Sequence, residues 1–276
     1  MKKHMIGIAF AVGVLVTLSV LLYPVVANFV NSKNQSRVVS DYVERVEAID
    51  DTQRLAMLEA ARMYNKNLLY KANRFNFTRA DTADYNRQLD AGRGVMGILA
   101  IDKIGVSLPI YHGTDEGVLQ VGLGHLQGTS LPVGGTGTHA FVSGHRGLPS
   151  SKLLSNLDKV EVGDTFALYI LGETLTYEVD NIKTVKPENV KSLDIDPAKD
   201  YCTLVTCTPY GVNTHRLLVR GHRIENPNAR LDFGASAKQL DKFLILLLFL
   251  IPALPVYLVF AAVQCAKIHK KGKMNP

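Results

Sequence analysis

Two uninterrupted apolar runs bracket this chain, and the hydrophobic pattern between them changes period. Met5 to Val30 and Phe243 to Val263 carry no charged residue. Each is long enough for a membrane-crossing helix, which needs roughly 20 apolar residues. Pro252 and Pro255 interrupt the second run, which a membrane helix tolerates as a kink. From Asn31 to Leu69 apolar residues recur at spacings of three and four (Val38, Val39, Tyr42, Val43, Val46, then Leu55, Leu58, Ala61, Met63), which predicts helix. Asp50 and Asp51 break that pattern and predict a cap for a second helix. Lys71 to Arg93 has isolated Phe75, Phe77 and Tyr85 and no sustained period, so it reads as a loop or short surface helix.

From Gly94 the pattern becomes short β-rich runs separated by Gly, Pro and Asp. The runs are Val95–Ile101, Leu108–Tyr111, His139–Ser143, Phe166–Leu171, Glu173–Val185, Tyr201–Cys207 and Arg216–Ile224. Helical spacing is weak here, apart from Leu153–Leu157 and a turn near Gly117–Val121. Short strands at this density predict a closed or nearly closed antiparallel barrel. The expected fold class is mainly β, a barrel of about eight strands with N-terminal helices and flanking transmembrane helices.

Charge sharpens the picture. Lys2, Lys3, Lys267, Lys270, Lys271 and Lys273 account for the whole net charge of +6, leaving residues 31–242 neutral. Basic residues beside apolar runs read as membrane topology rather than nucleic-acid binding. The first run is longer than the apolar stretch of a cleaved signal peptide, so it reads as an uncleaved anchor. The expected order is a membrane anchor (1–30), a helical segment (31–93), a β-barrel (94–225), a linker (226–242), a second membrane helix (243–263) and a basic tail (264–276). Both termini are then cytoplasmic and the barrel extracellular.

The chain has three cysteines. Cys202 and Cys207 are five apart on one predicted strand, so they point to opposite faces and cannot pair. Cys202 reads as a small core residue and Cys265 sits at the membrane edge. Cys207 lies where a strand gives way to the turn Pro209-Tyr210-Gly211, the place where a reactive group is presented. The returning strand places Arg216 near it. A cation beside a thiol favours thiolate, and a fixed donor can stabilise the oxyanion of acyl transfer. Of eight histidines, His145 stands apart at a strand end, with glycines at 144 and 147. An imidazole there suits a general acid–base. His112 and His125 read as structural hydrogen-bonders, and Arg220 and Arg223 as solvated charges. No spacing matches a zinc, calcium or phosphate-loop pattern, so no cofactor is expected.

Thr203-Leu204-Val205-Thr206-Cys207 followed by Arg216 resembles the active-site strand and arginine of sortases, membrane-bound cysteine transpeptidases of Gram-positive bacteria. Longer strings are similar to the pilin-polymerising class C: Leu108 to Thr114, Gly124 to Gly135, Gly144-His145-Arg146-Gly147-Leu148-Pro149 and Cys207 to Gly211. The resemblance covers about 94–225 closely. It implies Cys207 as nucleophile, His145 as general acid–base and Arg216 as oxyanion stabiliser. Thr206, Leu148, Pro149, Tyr210 and Asn213 are candidates for substrate contact. The implied partners are pilin subunits with LPXTG-like signals: the thioacyl enzyme passes its acyl group to a pilin lysine. Class C members usually carry a lid with an Asp-Pro-aromatic triplet, and residues 65–92 lack one. Arg74, Phe75 and Phe77 are the substitutes, and a weak or absent plug is expected. Alternatives are a sortase that anchors proteins to a peptidoglycan precursor, a plain cysteine protease and a non-catalytic scaffold.

Overall fold

Asp50 ends one helix and begins the next. The computed structural model of the chain describes residues 2–189 and 193–226. Helix α1 spans Lys2–Ala48 and α2 spans Asp51–Leu69. The Asp50 carboxylate accepts from the backbone N–H groups of Thr52 (2.9 Å) and Gln53 (3.1 Å), satisfying two of the donors a helix start leaves free. Residues 71–93 contain a third helix, α3 (Arg79–Arg87), entered through a reciprocal Thr78–Asp81 capping box. Tyr85 on α3 is a core residue at 1% exposure rather than a surface aromatic. Of the described residues, 2–25 belong to one unit and 26–226 to another.

Eight strands close into a barrel in the order β1-β2-β3-β4-β7-β8-β6-β5. They are β1 (Val95–Ile101), β2 (Val106–His112), β3 (Leu123–His125), β4 (Thr138–Ser143), β5 (Thr165–Ile170), β6 (Glu173–Val185), β7 (Asp200–Thr208) and β8 (His215–Ile224). The expected barrel is present, but it is not purely antiparallel: β2 pairs β3 and β4 pairs β7 in parallel. Parallel neighbours need a crossover. Helix α4 (Glu116–Val121) supplies it for the first pair, while β5 and β6 intervene in the second. Strand β3 has only three residues, too few to register as a period in the sequence.

The helical spacing at Leu153–Leu157 does not make a helix. Leu153 has φ +33°, outside the right-handed helical region, and only a 3-10 turn forms, at Leu157–Lys159. Leu154 and Leu157 are both fully buried, so their spacing reflects core packing.

Every residue of β1 is buried, because one face lines the barrel and the other lies under the helices. The Tyr42 hydroxyl joins α1 to the sheet, donating to Met96 O (3.1 Å) and accepting from Leu171 N (3.0 Å). The buried Asn65 amide joins α2 to the β3–β4 loop, donating to Leu131 O (3.0 Å) and accepting from Leu131 N (2.7 Å). A polar stripe on α1 grips a different loop. Lys152 N donates to Asn28 Oδ1 (2.9 Å), Asn31 to Ser150 O (2.9 Å), and Gln35 to Val121 O and Ser151 Oγ (both 3.1 Å).

Among the described residues no helix is long and apolar enough to cross a membrane. The second apolar run, the basic tail, Cys265 and linker residues 227–242 lie outside the described residues.

Candidate active site

Alternation along β7 sorts its side chains into two sets. Cys202, Leu204 and Thr206 point to one face and are buried at 0, 0 and 1% exposure. Cys207 takes the opposite face and is half-buried. Both cysteines are free thiols, as the parity argument expects. Burial pushes the Cys202 thiol far up, so it stays protonated.

Strand β7 lies between β4 and β8, and this places the three candidate groups. On one side, Cys207 and Arg216 are directly opposed in the antiparallel β7–β8 ladder. On the other, β4 runs parallel to β7 with Ser143 beside Val205. Two residues further along the chain stand His145, past the end of β4, and Cys207, on β7. Gly144 N donates to Val205 O (3.0 Å), and the Thr206 hydroxyl donates to Gly144 O (2.8 Å), carrying the alignment past the end of β4. A thiol is thus flanked by an imidazole-bearing turn and a guanidinium-bearing strand.

Local contacts hold both flanks. Arg216 Nη1 donates to the Asn213 and His215 carbonyls (both 3.2 Å). Asn213 adopts φ +61°, a left-handed conformation that asparagine tolerates well. Leu154 N donates to His145 O (3.3 Å). His145 Nε2 is buried without a hydrogen bond, and it lies 3.5 Å from Glu116 Oε2, just outside bonding geometry.

The structure distributes the other candidates unevenly. Thr206 is spent inside the protein on Gly144, so its hydroxyl is not offered to a ligand. Asn213 serves Arg216 through its carbonyl. Tyr210 is 62% exposed on the β7–β8 turn, and Pro149 is exposed while Leu148 packs partly against the core. Gly147 has φ +79°, and a Cβ there would meet the Tyr210 ring at 3.2 Å, so this glycine admits the tyrosine. Arg74 donates to Leu193 O (2.6 Å) and lies 3.9 Å from the Asp194 carboxylate, and Phe75 packs on Gly128. Arg74 also lies 5.2 Å from the centre of the Phe75 ring. Phe77 is half-buried in the same segment.

His112 and His125 are structural. His125 is fully buried between the Tyr85 hydroxyl (2.9 Å) and Ser130 O (2.8 Å), and burial depresses its pKa to about 4. His112 bonds the carbonyls of Gln88 (2.7 Å) and Gly94 (3.2 Å). Arg220 is not a solvated charge. It forms a two-pronged ion pair with Asp180 (both 2.9 Å) and lies 4.1 Å from the centre of the Tyr201 ring. Arg220 and Tyr201 line a cavity of about 650 Å³ with His139, Thr203, Leu218 and Asp194. Its β7 and β8 residues share the face of Cys207 and Arg216, because they stand an even number of positions away. Burial depresses the His139 pKa to about 4. Among the described residues no group of side chains is arranged to hold a metal.

A profile of the sortase domain matches residues 99–224. Sortase C1 of Streptococcus agalactiae is 52% identical over 69% of this chain and 99% of that one, with a TM-score of 0.67. The chain belongs to the sortase family. Sortase C of Streptococcus pneumoniae, a sortase with pilin substrate specificity, is 40% identical over 69% of this sortase and 97% of that chain, at TM-score 0.63. Among curated proteins, sortase A of Streptococcus agalactiae is 36% identical over 41% of this chain. The match spans 47% of that relative, and 62–63% of two further curated sortases.

In this sortase the imidazole-bearing turn after β4, the thiol on β7 and the guanidinium on β8 lie side by side. Sequence reasoning overlooked Arg146 and Asp158. An arginine directly after the candidate histidine was the available signal, while Asp158 could be paired with it only through the fold.

Proposed function

We propose that this chain is a cysteine transpeptidase that cleaves an LPXTG-like sorting signal. Cys207 attacks the Thr–Gly carbonyl, His145 gives its proton to the departing amine, and Arg216 stabilises the oxyanion. The thioacyl intermediate then passes to a lysine amine of a pilin subunit, joining subunits into a pilus. The observation that carries the reading is the placing of Cys207 between Arg216 and the His145 turn. Similarity to class C sortases supports pilins as substrates. The lysine-flanked apolar runs support a membrane anchor at each end, with the barrel extracellular. Curated relatives named sortase A and sortase D favour a second reading, attachment of proteins to a peptidoglycan precursor.

The test incubates a chain starting at Val26 with a pilin subunit bearing an LPXTG-like tail and reads the products by mass spectrometry. An acyl adduct on Cys207 with lysine-linked multimers is expected. An adduct with hydrolysed pilin alone points to a different acceptor. Absence of any adduct overturns the transpeptidase reading.

A further inference from the structure

Beyond these three residues, we infer that Arg146 is a positioning residue that clasps the His145 turn to the end of the Cys207 strand. This rests on the reading of Cys207 and His145 as the reacting pair.

The paired positions of β4 and β7 stop at Ser143 and Val205, and Gly144 N to Val205 O is the last backbone bond recorded there. The reacting pair lies beyond it. Side chains take over from that point. Thr206 reaches back to Gly144, and Arg146 Nη1 donates to the Thr208 hydroxyl at 3.3 Å. Arg146 follows His145 by one residue, as Thr208 follows Cys207. The clasp therefore repeats the offset of the reacting pair, and alternation turns it to the other side of the strand.

Three further features single out this arginine. Its Nη2 donates to Asp158 Oδ2 at 2.5 Å, tying the turn to the 3-10 segment at Leu157–Lys159. Its guanidinium carbon lies 5.9 Å from the centre of the Tyr210 ring on the β7–β8 turn. Its side chain is only 9% exposed, and Nε is buried with no partner. A buried cation with an unmade bond is costly to keep, so a loop that needed only cohesion is better served by an apolar side chain. A planar guanidinium bonds two segments at fixed angles, which an ammonium cannot do.

The experiment measures steady-state kcat and KM for a peptide bearing an LPXTG-like signal, a reaction that proceeds through acylation of Cys207. It compares Arg146→Gln, Arg146→Lys, Thr208→Val, His145→Ala and the Arg146→Gln/His145→Ala double variant. Displacing the imidazole by about an ångström costs on the order of a hundredfold in rate. Arg146→Gln is expected to lose that much in kcat with KM little changed, Arg146→Lys to recover part, and Thr208→Val to fall in the same direction. In the His145→Ala background Arg146→Gln should remove nothing further, because a positioning residue has nothing left to position. A lower melting temperature with unchanged kcat overturns the clasp. So does a full additional loss in the double variant. Should Arg146→Gln fail to fold, Thr208→Val decides alone, and unchanged kcat there overturns the proposal. Full activity of His145→Ala would instead sink the reading of the site itself.

Discussion

Cys207 and Arg216 are directly opposed residues of one antiparallel hairpin, nine positions apart in sequence and neighbours in the ladder. Opposed Cα atoms in such a ladder lie about 5 Å apart. The guanidinium is steadied by the Asn213 and His215 carbonyls rather than by a carboxylate. It keeps its positive charge available for an oxyanion.

Removing that donor tests its role. Arg216→Ala should lower kcat by about 10²–10³, the usual loss for an oxyanion donor. Arg216→Lys should restore only part, since an ammonium lacks the planar fork. Acylation kinetics with a signal peptide would measure both, and an Arg216→Ala variant with unaltered kcat would rule out the role.

Thr206 offers a second test. Thr206→Val keeps the shape and removes the donor to Gly144 O, leaving that carbonyl buried and unpaired. A stability loss of about 1–3 kcal/mol is expected in urea titration. Slower acylation should accompany it, because Gly144 precedes His145. Should kcat survive intact, the Thr206–Gly144 bond does not govern the histidine.

Stability should fall in mild acid. His125 and His139 are held neutral by burial, with folded pKa values near 4 against an ordinary 6.5. The unfolded chain therefore binds more protons between these values. The contribution is fully present above pH 6.5 and is lost as pH drops toward 4. His125 alone accounts for roughly 3 kcal/mol. Melting temperatures from pH 7.5 to 4 would show the slope, and a His139→Gln variant should flatten it in part.

The stripe of Asn28, Asn31 and Gln35 predicts that the start of a soluble domain matters. A chain beginning at Arg37 loses all four hydrogen bonds to Val121 and the 150–152 loop. At about 1 kcal/mol per hydrogen bond, it should be roughly 3–4 kcal/mol less stable than one beginning at Val26. Equal melting temperatures for the two chains would show that the stripe is dispensable.

The candidate lid can be probed without large deletions. Removing 65–92 would take out the buried Asn65 and Tyr85 and unfold the domain. Arg74→Ala and Phe75→Ala leave the core intact. A weak or absent plug is the expectation these two variants test. Alkylation of Cys207 by a small reagent should then change little. An acceleration of about tenfold, equivalent to a lost contact of about 1.4 kcal/mol, would reveal a working plug.

Much of the barrel was legible in the linear pattern. Six of the seven predicted β-runs match observed strands within one residue at either end, and Asp50 caps α2 as its position suggested. These features are local: alternation, capping and turn chemistry act over a few residues. The opposition of Cys202 and Cys207 was equally readable, because parity along one strand needs no partner. Candidate residues Cys207 and Arg216 could be brought together for a similar reason, since a short turn leaves a hairpin little choice.

Other features depended on which strands became neighbours. The parallel pairing of β4 and β7 brings His145 to Cys207 across 62 positions of sequence, and no local preference encodes that choice. The three-residue β3 exists because β2 and β4 present edges to it. Thr206, Arg220 and Tyr85 look like surface or binding residues in the sequence. Tertiary packing turns Thr206 and Tyr85 inward, onto Gly144 and His125, and pairs Arg220 with Asp180. Arg146 becomes a clasp only when Asp158 and Thr208 arrive from separate segments. Hydrogen bonds and ion pairs join groups by distance in space. Their partners are therefore set by how the strands close the barrel, and that closure follows from burying all the apolar faces at once.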